Sequence, residues 1–155
     1  MDDAPPDSDD DSSIPDDEIL YRRIAHYGSG DLVAVDAITG HRRPSSGAFK
    51  SDNDGISIYL DGVLSEAGLG PHDLVRAPQN AVVAFRAAIP RQLSLGVVPD
   101  AWPTGTDDDD HPRNVAHALI VGFRALNGKQ RRRTQKALAQ SCYWVIDPGA
   151  PSSDP

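Results

Sequence analysis

Apolar positions along this chain come in short runs punctuated by Gly, Pro and Asp, and the period of each run points to its element. Glu18 to Tyr27 (EILYRRIAHY) has the length and aromatic content of a strand, and Asp31 to Thr39 (DLVAVDAIT) is a second one. Tyr27-Gly-Ser-Gly-Asp31 between them has the composition of a hairpin loop. Ile56, Ile58 and Leu60 alternate with Ser57 and Tyr59, which predicts a short strand with one apolar face. Asp61 then stands in an N-cap position, Gly68 in a C-cap position, and a two-turn helix over 62–67 is expected between them. Ala81 to Ile89 alternates again, with Ala81, Val83, Phe85, Ala87 and Ile89 on one face and Arg86 as its only charge. Pro90 suits the start of a helical turn through Leu95, Gly96 ends it, and Val97-Val98 forms a brief strand. Residues 100–114 are a polar loop. Val115 to Phe123 is nearly all apolar, as expected of a strand covered on both faces. Asn127-Gly128 signals a turn, and Lys129 to about Cys142 is the one long helix. Tyr143 to Ile146 either extends that helix or forms a terminal strand. The expected fold class is α+β, a mixed or mainly antiparallel twisted sheet of five to six strands, with short helices and one long C-terminal helix on one side.

Charge changes this picture at the ends. Residues 1–18 hold nine acidic and no basic residues, leaving 14 acidic against 15 basic in the remainder, so the total of −8 divides into −9 and +1. The low hydrophobic content of 39% reflects the same tails. Residues 1–17 offer almost nothing to bury and are expected to be disordered, as are residues 147–155, with a single domain over 18–146. The near-neutral body does not suggest a strongly basic nucleic-acid binder. No run approaches a membrane span, no secretory signal is seen, and one cysteine permits no intrachain disulfide, so a cytoplasmic protein is expected.

Candidate chemistry is sparse. Gly40-His-Arg-Arg-Pro-Ser-Ser-Gly-Ala-Phe49 is the most distinctive segment. Its Arg42, Arg43, Ser45 and Ser46 offer guanidinium and hydroxyl donors that suit an anionic ligand, while Phe49 anchors the loop. Lys129 to Lys136 (KQRRRTQK) is a basic stretch of helix, and Arg131, Arg132 and Arg133 are the candidate contacts to nucleic-acid phosphates. The alternatives are a solvated face, or pairing with an acidic tail. His117 lies within an apolar strand, either as a hydrogen-bonded core residue or as a general base partnered by Ser45, Ser46 or Asp36. The five histidines lack zinc spacing. Lys50 to Gly55 resembles a calcium loop with Asp52, Asp54 and Asp61 as ligands, but a Lys leads it, and Asp107 to Asp110 has the character of an exposed loop. No metal and no cofactor is expected. Cys142 is expected to be a small buried residue.

Arg43 to Phe49, Gly55 to Ser57, Val97 to Asp100 and Ala116 to Leu119 together resemble a family of small uncharacterised proteins of high-GC bacteria. These share an Arg-Pro-Ser-Ser-x-Ala-Phe pattern followed by Ala-His-Ala-Leu. The resemblance spans about residues 19–146 and implies no activity. A second pattern is similar to RES-domain, ADP-ribosyltransferase-like proteins that cleave NAD: an early-strand Arg22, then Ser46, then Glu66. That similarity would make these three residues catalytic, although the family's Gly-Arg-Trp-Asn stretch is absent. The expectation from the whole chain is a small interaction module with a protein partner, an accessory of a bacterial regulatory or conflict system. NAD cleavage and weak nucleic-acid binding through residues 129–136 are the alternatives. For the first, Arg22, Ser46 and Glu66 must converge in one cleft.

Overall fold

Alternating side chains on the central strands divide the fold into two apolar layers, one on each face of a sheet. The computed structural model describes residues 10–24, 33–35, 37–50, 55–75, 81–101 and 112–146. Six strands form the sheet: β1 (Ile19–Ile24), β4 (Ile56–Leu60), β5 (Ala81–Arg86), β6 (Gly96–Pro99), β7 (His117–Val121) and β8 (Tyr143–Ile146). Their order is β6-β7-β4-β1-β5-β8, and every neighbouring pair is antiparallel. A separate two-stranded ribbon joins β2 (Val33–Val35) to β3 (Arg42–Pro44). The chain is therefore α+β, as its pattern predicts.

One face buries Leu20, Ile24, Ile56, Ile58, Val83, Phe85 and Ile120 under α3 (Gly128–Ser141), whose Leu138 and Ala139 enter the same core. Phe49 and Phe85 meet there edge to face at 5.8 Å. The helix α2 (Ala88–Gln92) packs on this layer through Ile89 and Leu93. The opposite face buries Tyr21, Tyr59, Val82 and Ala84 under Leu64 of α1 (Asp61–Glu66) and Leu74. Helices thus cover both faces, rather than the single side expected, because Leu64 and Leu74 supply an apolar cover too short to be seen as a periodic stripe.

Local chemistry sets the element ends. Asp61 is the first residue of α1 rather than its cap; its carboxylate accepts from the Tyr21 hydroxyl at 2.8 Å, and Glu18 Oε2 accepts from the Gly62 amide at 2.8 Å. Asn127 does cap α3. Its side chain accepts from the Gln130 amide at 2.8 Å, and Gln130 Oε1 accepts from the Asn127 amide at 2.9 Å. The strand expected through Ile89 stops at Arg86, and the chain turns at Ala87 into α2, where Pro90 costs no ladder hydrogen bond. β7 is shorter than the 115–123 run: a 3-10 turn precedes it, and Gly122 at φ +118 leads into another after it. The segment Tyr143–Ile146 is a strand on β5, with a bulge opposite Val82 and Val83. The predicted partner of the first strand was the second; instead β2 pairs with β3, while the turn at Tyr27 to Asp31 lies outside the described residues.

The acidic end departs furthest from expectation. From Asp10 onward it is placed against the domain rather than disordered. The Asp11 amide donates to the Val97 carbonyl at 2.9 Å, Ile14 is buried, and Asp16 and Glu18 carbonyls accept from Ala88 and Ala87. One apolar side chain and a nearby Arg91 hold a segment whose composition alone reads as solvated. Residues 1–9 and 147–155 lie outside the described residues.

Candidate functional site

The Arg-Pro-Ser-Ser segment is held in place from beneath. Pro44 is buried, Ser45 is extended, and a 3-10 turn over Ser46–Phe49 drives Ala48 and Phe49 into the core. Arg22 of β1 fastens that turn to the sheet. Its Nε donates to the Ala48 carbonyl at 2.6 Å, its Nη1 donates to the Ser57 carbonyl at 2.8 Å, and its guanidinium lies 5.7 Å from the centre of the Phe49 ring. The turn packs directly against α3. In the ribbon, Ala34 stands opposite Arg43 and Val35 opposite Arg42, so the two arginines leave opposite faces of it.

An open cleft of about 370 Å³ results between this loop and α3. Arg43, Ser45 and Ser46 line one wall, Lys136 and Gln140 the other, and Ala139 contributes an apolar floor. The helix wall follows the i, i+4 rule, with Arg132 exposed one turn before Lys136. Two cations, two hydroxyls and one carboxamide converge here, and among the described residues the lining holds no carboxylate. That set donates hydrogen bonds and balances negative charge.

The other sequence candidates fall elsewhere. Arg42 is exposed, and its carbonyl accepts from Trp144 Nε1 at 3.0 Å. Arg131, Arg132 and Arg133 are all exposed, and Arg131 Nε donates to the Phe123 carbonyl at 3.0 Å. His117 is buried on the far face of the sheet, against Tyr59 with ring centres 5.5 Å apart. Its Nδ1 lies 2.9 Å from the Asp100 carbonyl and 3.1 Å from Asp100 Oδ2, so its partner is Asp100 rather than Ser45 or Ser46; Asp36 lies outside the described residues. His117 does not belong to the cleft.

Arg22, Ser46 and Glu66 do not converge. Arg22 and Ser46 lie on the α3 face, and Arg22 is committed to the backbone and the Phe49 ring. Glu66 is exposed at the end of α1, on the opposite face. The three residues share no cleft.

Burial pushes the Cys142 thiol up to about 12, so it stays protonated at neutral pH. Burial, with the Asp61 carboxylate, likewise raises the Tyr21 phenol. Among the described residues no group of three or more His, Cys, Asp or Glu side chains is placed to hold a metal. Asp52, Asp54 and Asp107 to Asp110 lie outside them. No helix among the described residues is long and apolar enough to cross a membrane.

Lys136 and Gln140 were missed as site residues. The signal was available in the spacing of Arg132, Lys136 and Gln140 along α3, but the charge run drew attention to its three adjacent arginines instead. A scan against protein-family models, a search of curated proteins and a search of solved structures each return no match.

Proposed function

We propose that the protein is a cytoplasmic, non-enzymatic interaction module whose cleft takes an acidic segment of a partner protein. One observation carries this reading: Arg43, Ser45 and Ser46 of the loop meet Lys136 and Gln140 of α3 across a single open cleft. Openness suits a peptide, which needs a groove with exits, better than a reaction that needs water excluded. The donors are guanidinium, ammonium, hydroxyl and amide, matched to carboxylates. A peptide is favoured over nucleic acid because Arg131 is tied to the Phe123 carbonyl and, among the described residues, no aromatic side chain lines the cleft to stack a base.

A thermal-shift screen tests the reading. Ligand bound only to the folded state at a hundredfold excess over Kd adds about 2.7 kcal/mol of stability. An Asp/Glu-rich peptide is expected to raise the melting temperature, and a Lys-rich peptide is not. A shift with NAD alone would overturn the module reading in favour of an enzyme. A shift with single-stranded oligonucleotides alone, collapsing between low and physiological salt, would replace the acidic partner with nucleic acid.

A further inference from the structure

The acidic segment ahead of β1 packs on a surface that shares no residue with the cleft. β6 is an edge strand of the sheet. At Val97 both outward backbone groups are engaged: its carbonyl accepts from the Asp11 amide at 2.9 Å, and its amide donates to Asp10 Oδ1 at 2.9 Å. Arg91 of α2 reads the same segment three times. Its Nε pairs with Asp10 Oδ1 at 3.0 Å, its Nη1 with Asp16 Oδ1 at 2.7 Å, and its Nη2 donates to the Asp11 carbonyl at 3.0 Å. Between the two carboxylates Ile14 enters the main core.

We propose that the β6 edge at Val97, together with Arg91 and the hollow filled by Ile14, is a docking seat for an acidic, turn-forming segment of a partner protein, and that residues 10–16 occupy it as an intramolecular competitor. The chemistry of the seat fixes what it accepts. The outward Val97 carbonyl takes a backbone amide, and the Val97 amide takes a carboxylate oxygen. One guanidinium bridges two carboxylates. One hollow takes an aliphatic side chain placed between them. The segment Asp10-Asp-Ser-Ser-Ile-Pro-Asp16 meets all three requirements, so an Asp-Asp-x-x-Ile pattern with a later Asp is the minimal occupant.

The resident segment is also built to yield before the core does. Asp16 remains 74% exposed and Asp10 33%, so both ion pairs are open to salt, and beyond its backbone hydrogen bonds at Asp11 and Asp16 the segment buries one apolar side chain, Ile14. Tethering gives the segment a high effective concentration, which closes the seat to weak ligands in the intact chain. A partner gains access when the resident contacts are weakened or its own affinity exceeds the tether.

Binding of a fluorescein-labelled peptide with the sequence of residues 10–17 tests the proposal, using full-length protein. Ile14→Asp and the surface double variant Asp10→Ala/Asp16→Ala each loosen the resident segment while leaving Val97 and Arg91 intact. Both are expected to bind the peptide at least tenfold more tightly than the unaltered protein. Adding Arg91→Ala to either is expected to abolish the gain, and the Val97 amide is expected to exchange faster in the loosened variants until peptide is added. Folded variants that bind no better than the unaltered protein would overturn the proposal, as would binding that survives Arg91→Ala. Binding lost instead on Lys136→Glu would place the peptide in the cleft and also refute the seat. If Ile14→Asp fails to fold, the surface double variant carries the test alone.

Discussion

Replacing Arg22 with Ala distinguishes a structural arginine from a catalytic one. The guanidinium makes two charge-assisted hydrogen bonds, at 2.6 Å to the Ala48 carbonyl and 2.8 Å to the Ser57 carbonyl, and lies over the Phe49 ring. Hydrogen bonds to a charged group contribute roughly 1.5–3 kcal/mol each, and the ring contact adds about 0.5–1 kcal/mol. Arg22 is only half-buried, so the low ends of these ranges apply, giving about 3.5 kcal/mol. That is a large part of the roughly 5–15 kcal/mol that holds a domain folded. With a urea slope of about 1–3 kcal/mol per molar, the unfolding midpoint is expected to fall by about 2 M with the slope unchanged. Arg22→Lys, which keeps the charge but not the fork, is expected to recover about half of the loss, as a single-point donor would. A midpoint shift below about 0.5 M would refute the reasoning. It would show that the Ala48 turn does not depend on Arg22 and would return the residue to the list of available functional groups.

Gly55→Ala is expected to destabilise severely, by about 3 kcal/mol or more in denaturant melts, because Gly55 sits at φ +125 and a Cβ would run into the Ile120 backbone carbonyl oxygen, which cannot move aside. Asn127→Ala removes the reciprocal cap of α3 and is expected to cost about 1 kcal/mol, measured by thermal unfolding. Cys142 is expected to resist a thiol reagent at pH 8 in the folded protein and to react at once in urea. Because burial raises this thiol from 9.0 to about 12, its contribution to stability is intact below pH 9 and lost as pH rises towards 12; an alkaline unfolding series checks that sign.

Where side chains alternate on a buried strand, the chain could be read closely. Ile56–Leu60 alternates between Ile56, Ile58, Leu60 and Ser57, Tyr59, whereas Ala81–Arg86 is an almost unbroken apolar run because both of its faces pack on core layers. α3 was legible from the Asn127-Gly128 turn signal and its length, but the capping role of Asn127 was not. β3 was not, since Arg42–Pro44 has no apolar alternation; the chain turns back at Gly40, φ +76, and pairs it with β2. The placement of residues 10–17 rests on Arg91 and Val97, some 80 positions along the chain, which no local pattern reports. At the candidate site the loop wall was legible from its donors. The helix wall was not, because which residues of a basic helix face a neighbouring loop depends on how Leu138 and Ala139 seat it. The Arg22, Ser46 and Glu66 order in sequence carried no information about which face of the sheet each residue occupies.

The most direct test of the interaction cleft is the affinity of an Asp/Glu-rich peptide, by fluorescence anisotropy at physiological salt, for the unaltered protein and for Arg43→Glu/Lys136→Glu. These two cations face each other across the cleft and hold no core contact. A loss of at least tenfold in affinity, with the melting temperature unchanged, is the predicted result. Equal affinity in the two proteins would contradict the account and place acidic-segment binding, if any, away from this cleft.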